Sequence, residues 1–144
     1  MDKMMLIGKT GCGKTTLTQV LHDENISYKK TQSMIYNKNI IDTPGEYIEN
    51  RSLYRALIVS SADCDVIALV QDCAEKDSIF PPNFSSVFVK PVIGIITKID
   101  LCKEEKNIER AEKLLIDAGV QEIFRISSFD KNGIDEVRGF LDRK

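Results

Sequence analysis

Short apolar runs recur along the chain, separated by segments of mixed polarity. The runs at residues 4–7, 65–70 and 92–96 are almost continuously apolar. Such runs are typical of strands buried on both faces, as in parallel sheets. Residues 39–42 and 120–126 predict two further strands, the first of them stopped by a proline and a glycine.

The segments between the strands have the spacing of helices with one apolar side. Residues 14–22, 51–62, 107–118 and 134–141 carry apolar residues three and four positions apart. Gly119 follows the third segment, where it predicts a helix end. Strands alternating with helices predict a single α/β domain spanning the chain, with a mostly parallel sheet, helices on both faces and right-handed crossovers.

Two segments depart from this alternation. Residues 27–37 are polar and predict an exposed loop that leads into a short strand. Residues 78–89 contain two adjacent prolines and have no helical period. Where a helix is missing, we expect an exposed sheet edge, which could serve as the surface of a homodimer or of another protein partner.

Composition narrows the classes of protein. The 144 residues carry a net charge of −2, which gives no reason to expect nucleic acid or an anionic membrane as the main partner. No apolar run reaches the roughly 18 residues of a membrane span, and no signal peptide is recognised. The scattered cysteines and the single His22 fit no zinc pattern, so we expect reduced thiols and a cytoplasmic protein. These cysteines are Cys12, Cys64, Cys73 and Cys102.

Residues 8–15 match the phosphate-binding pattern G-x-x-x-x-G-K-[ST] between a strand and a helix. The glycines let backbone N–H groups surround phosphate, Lys14 reaches the outer phosphates, and the Thr15 hydroxyl is a ligand for Mg²⁺. Cys12, near Lys14 and a helix N-terminus, is either a thiol of lowered pKa or simply a small residue. The predicted nucleotide contacts are Gly8, Lys9, Thr10, Gly11, Cys12, Gly13, Lys14, Thr15 and Thr16.

A second motif, D-T-P-G, follows the predicted strand at residues 39–42. Asp42 is expected to reach Mg²⁺ through water, and the Gly45 amide to donate to the γ-phosphate. Thr31, in the polar loop before this strand, is a candidate ligand that would hold Mg²⁺ only when the γ-phosphate is present. An ordinary loop residue is the alternative for Thr31.

The motif T-K-I-D follows the buried strand at residues 92–96 and matches [NT]-K-x-D. Asp100 can accept two hydrogen bonds from guanine, and Lys98 is expected to lie along the base and touch the phosphate loop. Thr97 replaces the commoner asparagine, which leaves ATP as an alternative to GTP and GDP. Ser127 and Ser128 follow the next strand and are expected to close over the base.

These elements, in this order, resemble the small GTPases of the Ras-like class over nearly the whole chain. Residues 5–17, 28–32 and 41–51 resemble more closely the EutP/PduV family of ethanolamine- and propanediol-utilisation proteins. The resemblance implies a role beside bacterial microcompartments, with shell or ethanolamine-pathway proteins as partners. It also implies either GTPase-like activity or, in the ethanolamine branch, acetate kinase activity, and both remain open.

Glu46 occupies the position where Ras-type enzymes carry a catalytic glutamine. Two unit charges ~4 Å apart repel by about 1 kcal/mol in water and about 4 at a dielectric constant of 20. We therefore expect Glu46 to point away from the γ-phosphate or to act only when Mg²⁺ screens it, and turnover to be slow. The alternatives to a slow GTPase are an acetate kinase and a nucleotide-dependent scaffold. The candidates for an acetate site are Lys9, Lys29, Lys30 and Arg51.

Overall fold

The computed structural model describes residues 3–21, 35–37 (backbone only), 40–127 and 133–141. Within these residues the chain forms a six-stranded sheet of order β2-β3-β1-β4-β5-β6, parallel except for the β2–β3 pair. The strands are β1 (Met4–Ile7), β2 (Ile35–Asn37), β3 (Ile40–Asp42), β4 (Val66–Asp72), β5 (Val92–Thr97) and β6 (Ile123–Arg125).

Helices cover both faces of this sheet, which confirms the predicted α/β class. They are α1 (Lys14–Leu21), α2 (Glu46–Glu49), α3 (Tyr54–Ser60), α4 (Glu105–Asp117) and α5 (Ile134–Leu141). Met4 and Leu6 of β1 pack with α1 and α5, whereas Met5 and Ile7 pack on the opposite face with α2, α3 and α4. Because both faces of β1 are buried, its sequence is continuously apolar instead of alternating.

The helix predicted over residues 51–62 is shorter than its apolar pattern indicated. The structure has a 3₁₀ turn at Arg51–Leu53, then α3, then a second 3₁₀ turn. Asn50 is extended, with φ −116°, and its side chain accepts the N–H of Ser52 at 3.1 Å. This cap starts a separate turn after α2, a helix that the sequence pattern did not predict.

Residues 78–89 contain no α-helix, as predicted, but the expected exposed sheet edge is wrong. Phe80, Phe84 and Phe88 are buried, with ring centroids 5.9 and 5.4 Å apart along the row, and they pack against the sheet. The neighbouring strands β4 and β5 are interior strands, and the edges of the described sheet are β2 and β6. Aromatic side chains on an irregular segment fill the volume that a helix would otherwise fill.

The boundaries of most of the other strands differ by a few residues at either end. β4 runs to Asp72, two residues beyond its prediction, and pairs there with Thr97 at the end of β5. β6 is shorter than predicted, whereas α5 has its predicted bounds. Gly119 follows α4 with φ 96°, a conformation that favours glycine. Most of the predicted loop at residues 27–37, and His22, lie outside the described residues.

Candidate functional site

The phosphate loop connects β1 to α1 and bends back over the end of the sheet. Gly11 and Gly13 have φ angles of 85° and 105°, which side chains disfavour. Lys14 is buried, and its Nζ donates to the carbonyl oxygens of Gly8 at 2.7 Å and Lys9 at 3.2 Å. The ammonium group is therefore held inside the curve of the loop, where it can meet an anion.

Cys12 lies within the same loop and is almost fully buried. Its Sγ lies 3.8 Å from the Nζ of Lys14, yet burial raises the pKa of the Cys12 thiol and outweighs the favourable effect of the lysine. The hypothesis of a lowered thiol pKa is therefore wrong. A Cβ at Gly8 would lie 2.6 Å from this Sγ, so the cysteine packs directly against the loop backbone.

Thr15 and Asp42 bring two side-chain oxygen atoms together from different segments. The hydroxyl of Thr15, in the first turn of α1, donates to the Oδ2 of Asp42 at 2.8 Å. Asp42 is the last residue of β3 and is only 2% exposed. Hydroxyl and carboxylate oxygens suit Mg²⁺, which commonly takes its other ligands from phosphate and water. Thr16 is half-buried beside them, and Thr31 lies outside the described residues.

The D-T-P-G turn is attached to both β1 and the phosphate loop. The hydroxyl of Thr43 donates to the carbonyl oxygen of Leu6 at 2.6 Å. Gly45 packs so closely on Thr10 that a Cβ there would overlap the backbone nitrogen and hydroxyl of Thr10. The turn and the loop are thus in van der Waals contact, so a displacement of Gly45 towards the loop would also displace Thr10.

Helix α2 begins directly after this turn and presents two carboxylates differently. Glu46, its first residue, is exposed. Glu49, one turn later, accepts hydrogen bonds from the hydroxyl and the N–H of Thr10, at 2.8 and 3.5 Å. Sequence reasoning missed Glu49 because it lies outside the D-x-x-G motif, and only helical spacing from Glu46 could have suggested it.

The end of β5 supports the phosphate loop from the other side. The hydroxyl of Thr97, 2% exposed, donates to the carbonyl oxygen of Cys12 at 2.6 Å. The Nζ of Lys98 donates to the carbonyl oxygen of Gly11 at 2.7 Å and forms an ion pair of 3.0 Å with Asp72. The structure therefore brings the T-K-x-D segment against the phosphate loop. Asp72 was not identified from the sequence because no motif contains it.

Asp100 and Ser127 join the segments that follow β5 and β6. The hydroxyl of Ser127 donates to the Oδ1 of Asp100 at 2.8 Å, and the N–H of Ile99 donates to the carbonyl oxygen of Ile126 at 3.2 Å. Ser127 is buried, whereas Asp100 is exposed and follows closely after Thr97 and Lys98, which contact the phosphate loop. Ser128 lies outside the described residues.

The cysteines correct the expectation that all four thiols are reduced. Cys73 and Cys102 form a disulfide, whereas Cys12 and Cys64 are free and buried. The pairing arises because the ends of β4 and β5 are neighbours, which brings together residues 29 positions apart. No spacing motif signals such a pair. No helix in the described part of the chain is long and apolar enough to cross a membrane.

Three features lie together in this structure: a G-x-x-x-x-G-K-T loop between a strand and a helix, an aspartate on β3 beside the threonine of that loop, and a T-K-x-D segment against the same loop. Together they define a P-loop nucleotide-binding protein. The sequence profile of the PduV-EutP family, described as ethanolamine utilisation and propanediol utilisation, matches residues 1–143. The chain belongs to this family.

Relatives agree with this assignment, and a solved structure shares the fold. The chain is 44% identical to the propanediol utilization protein PduV of Citrobacter freundii, over all of this chain and 95% of the relative. It is 31% identical to the probable acetate kinase EutP of Escherichia coli K12, over 98% and 89%. The fold resembles the elongation factor SelB of Methanococcus maripaludis, solved with a GTP analogue, with TM-score 0.67 and 23% identity over 97% of this chain and 32% of that one.

Proposed function

We propose that the chain binds guanine nucleotides in the presence of Mg²⁺ and hydrolyses GTP slowly. The observation that carries this proposal is the hydrogen bond of 2.8 Å between Thr15 and Asp42, which joins the phosphate loop to the D-T-P-G turn. Lys14 lies in the same loop with its ammonium group on the loop's inner carbonyls. Together they supply a cation for phosphate and two oxygen ligands for a metal ion.

Mg²⁺ at Thr15 and Asp42 would neutralise charge on the phosphates. The role of the protein is then to position the triphosphate and to stabilise its charge. Thr97 and Lys98 hold the loop carbonyls of Cys12 and Gly11, which fixes the loop's curvature before nucleotide binds. A preorganised loop avoids the cost of ordering on binding.

Guanine preference is proposed from Asp100. Its carboxylate is exposed, and the hydroxyl of Ser127 fixes one of its oxygens at 2.8 Å. A carboxylate held in this way can accept hydrogen bonds from the ring N–H and the amine of guanine, which adenine does not offer in that arrangement. Relatives named GTPase Era, including one from Afipia carboxidovorans 25% identical over 94% of this chain and 51% of its own, also support guanine.

Slow hydrolysis is proposed from the carboxylates of α2. Glu46 is exposed at the position where the resemblance expects a glutamine, and Glu49 meets Thr10 of the phosphate loop. A carboxylate near an incoming triphosphate opposes it by about 1 to 4 kcal/mol, depending on the local dielectric constant. Neither side chain is suited to align water without a screening cation.

Family membership supports a role in ethanolamine or propanediol utilisation. The higher identity to the propanediol relative supports the propanediol pathway. We propose that the chain acts in the cytoplasm beside the corresponding microcompartments, as the family resemblance implies.

A second candidate is transfer of the γ-phosphoryl group to acetate, which the name of the E. coli relative favours. That reaction needs a site for a small carboxylate near the phosphate loop. Lys9 is exposed at the loop and lies 3.7 Å from Glu75, and Arg51 is exposed after α2. Lys29 and Lys30 lie outside the described residues. Because Lys9 is already close to Glu75, it is a weak candidate for binding acetate, and GTP hydrolysis remains the first candidate function.

One assay separates these functions. GTP or ATP is incubated with the chain and Mg²⁺, with and without acetate, and phosphate and acetyl phosphate are measured. We expect slow release of phosphate from GTP that acetate does not change and that EDTA abolishes. Acetyl phosphate formed faster than background hydrolysis would establish the kinase instead. Tight binding without either product would indicate a scaffold.

A further inference from the structure

The disulfide lies at the base-binding side of the proposed nucleotide site. Cys73 directly follows the last residue of β4, and Cys102 directly follows the 3₁₀ turn Ile99–Leu101. Their Cα atoms are 6.5 Å apart, within the range that disulfides span. The bond therefore fastens the segment that carries Asp100 to the end of the neighbouring strand.

Both cysteines are flanked by residues that contact the site. Asp72, adjacent to Cys73, pairs with Lys98, and Lys98 donates to the carbonyl oxygen of Gly11 in the phosphate loop. Asp100, two residues before Cys102, accepts from Ser127. The disulfide thus adds a covalent contact to a segment that these polar contacts, the backbone hydrogen bond from Ile99 to Ile126 and the packing of Ile99 against the core also hold.

The two sulfur atoms differ in their access to solvent. Cys73 is fully buried, whereas Cys102 is partly exposed. A chain of 144 residues buries enough surface to fold without disulfides. In the cytoplasm, where we propose that this chain acts, disulfides are typically redox-sensing or catalytic. Small thiols and disulfides can therefore reach Cys102, and the oxidation state of the pair affects a segment of the proposed nucleotide site.

We propose that Cys73 and Cys102 form a redox-active pair that exchanges with low-molecular-weight disulfides and thiols, and that its oxidation fastens the segment carrying Asp100. The effect on nucleotide rests on the proposed function. In the oxidised form the segment is preorganised for the base, so guanine nucleotides bind about threefold to tenfold more tightly than in the reduced form.

Oxidation of the pair takes two steps of thiol–disulfide exchange. The Cys102 thiolate attacks one sulfur of a small disulfide, whose S–S bond breaks and releases one thiolate. The Cys73 thiolate then attacks Cys102, forms the internal disulfide and releases the second thiolate. The protons of the two cysteine thiols pass to the released thiolates, and the small disulfide gains the two electrons that the pair loses. A small dithiol reverses both steps.

The first arm of the test needs no nucleotide. The full chain is equilibrated with reduced and oxidised glutathione at graded ratios, its free thiols are alkylated, and linked peptides are mapped by mass spectrometry. Backbone hydrogen exchange is measured on both forms. We expect the Cys73–Cys102 disulfide to form when oxidised glutathione is in excess and to disappear when reduced glutathione is in excess. Backbone hydrogen exchange in residues 97–102 should be slower in the oxidised form. Absence of the disulfide, or equal rates of backbone hydrogen exchange in the two forms, overturns the proposal.

The second arm measures the affinity of each form for fluorescent GDP. We expect tighter binding by the oxidised form, no such difference in Cys102→Ser, and an unchanged difference in the control Cys64→Ser, whose cysteine is buried away from the site. Equal GDP affinities in the two forms overturn the proposed control of binding. If neither form binds any nucleotide, the proposed function fails. The formation of the disulfide and the backbone hydrogen exchange of residues 97–102 then decide for or against the redox pair.

Discussion

The phosphate side and the base side of the candidate site are built in different ways. On the phosphate side, one contiguous loop carries the Lys14 ammonium group, the curved backbone and the Thr15 hydroxyl that we propose as a metal ligand, and the contacts of Lys14 lie within six residues. On the base side, the contacts join the ends of β4, β5 and β6, between residues 26 to 29 positions apart. The phosphate loop is therefore defined by local sequence, although Asp42 and Glu49 contact it from distant segments, whereas every contact of the base side depends on the whole sheet.

This difference predicts that one substitution is decisive on the phosphate side. Lys14→Ala removes the ammonium group from the loop and should lower affinity for any nucleoside triphosphate at least about 100-fold, because charge-assisted contacts to phosphate are lost. Titration calorimetry with GTP measures the loss, and a thermal melt checks that the variant folds. Lys113→Ala, on the exposed side of α4, is the matched control and should bind as wild type.

On the base side, Asp100→Asn should change selectivity more than binding itself. We expect GTP affinity to fall about 10- to 100-fold, while ATP affinity changes little, because only guanine pairs with the carboxylate. Competition binding with both nucleotides measures this ratio. Glu109→Gln, an exposed acid on α4, is the control. An equal loss for GTP and ATP would contradict the role of Asp100 in reading the base.

The contact between the turn and the loop can be tested by stability. Gly45→Ala places a Cβ against the backbone of Thr10 and should lower the free energy of unfolding by about 1 to 3 kcal/mol. Gly139→Ala, on α5 with open space around it, should instead raise it by up to about 1 kcal/mol. Urea unfolding measures both, and equal effects would show that the packing at Gly45 is looser than described.

The smallest expected effect concerns Glu49. Glu49→Gln keeps a hydrogen-bond acceptor for Thr10 but removes a negative charge beside the phosphate loop, where we propose that the triphosphate binds. GTP should bind about threefold to fivefold more tightly, as expected for a repulsion of roughly 1 kcal/mol, while GDP affinity should change less. Stopped-flow binding of the two nucleotides measures the difference. An equal gain for GDP would mean that Glu49 does not face the terminal phosphate.

The same contrast explains what could be predicted from sequence. Residues 8–15 were recognisable because their geometry depends on glycines and a lysine at fixed local spacing. The buried strands and the α/β class followed from continuous apolar runs such as β1 and β5. Asp72, Glu49 and the Cys73–Cys102 pair could not be assigned, because each meets its partner across a distant segment that only the folded sheet brings near.

Local polar contacts and irregular packing account for the errors in the fold. The segment whose apolar spacing predicted one helix is divided into a 3₁₀ turn, α3 and a second 3₁₀ turn, and the cap formed by Asn50 begins the first of these turns. Residues 78–89 lack helical spacing, yet three phenylalanines from this segment pack against the sheet where the sequence suggested an exposed edge. Hydrophobic periodicity predicts regular elements and says little about how an irregular segment fills a volume.

The most direct test of the central claim is calorimetric titration of the wild-type chain with GTP and with ATP, each in Mg²⁺ and in EDTA. GTP should bind more tightly than ATP, and EDTA should weaken GTP binding substantially, because Thr15 and Asp42 then lose the ion they would share with the phosphates. No binding of either nucleotide, or tighter binding of ATP than of GTP, would contradict this claim.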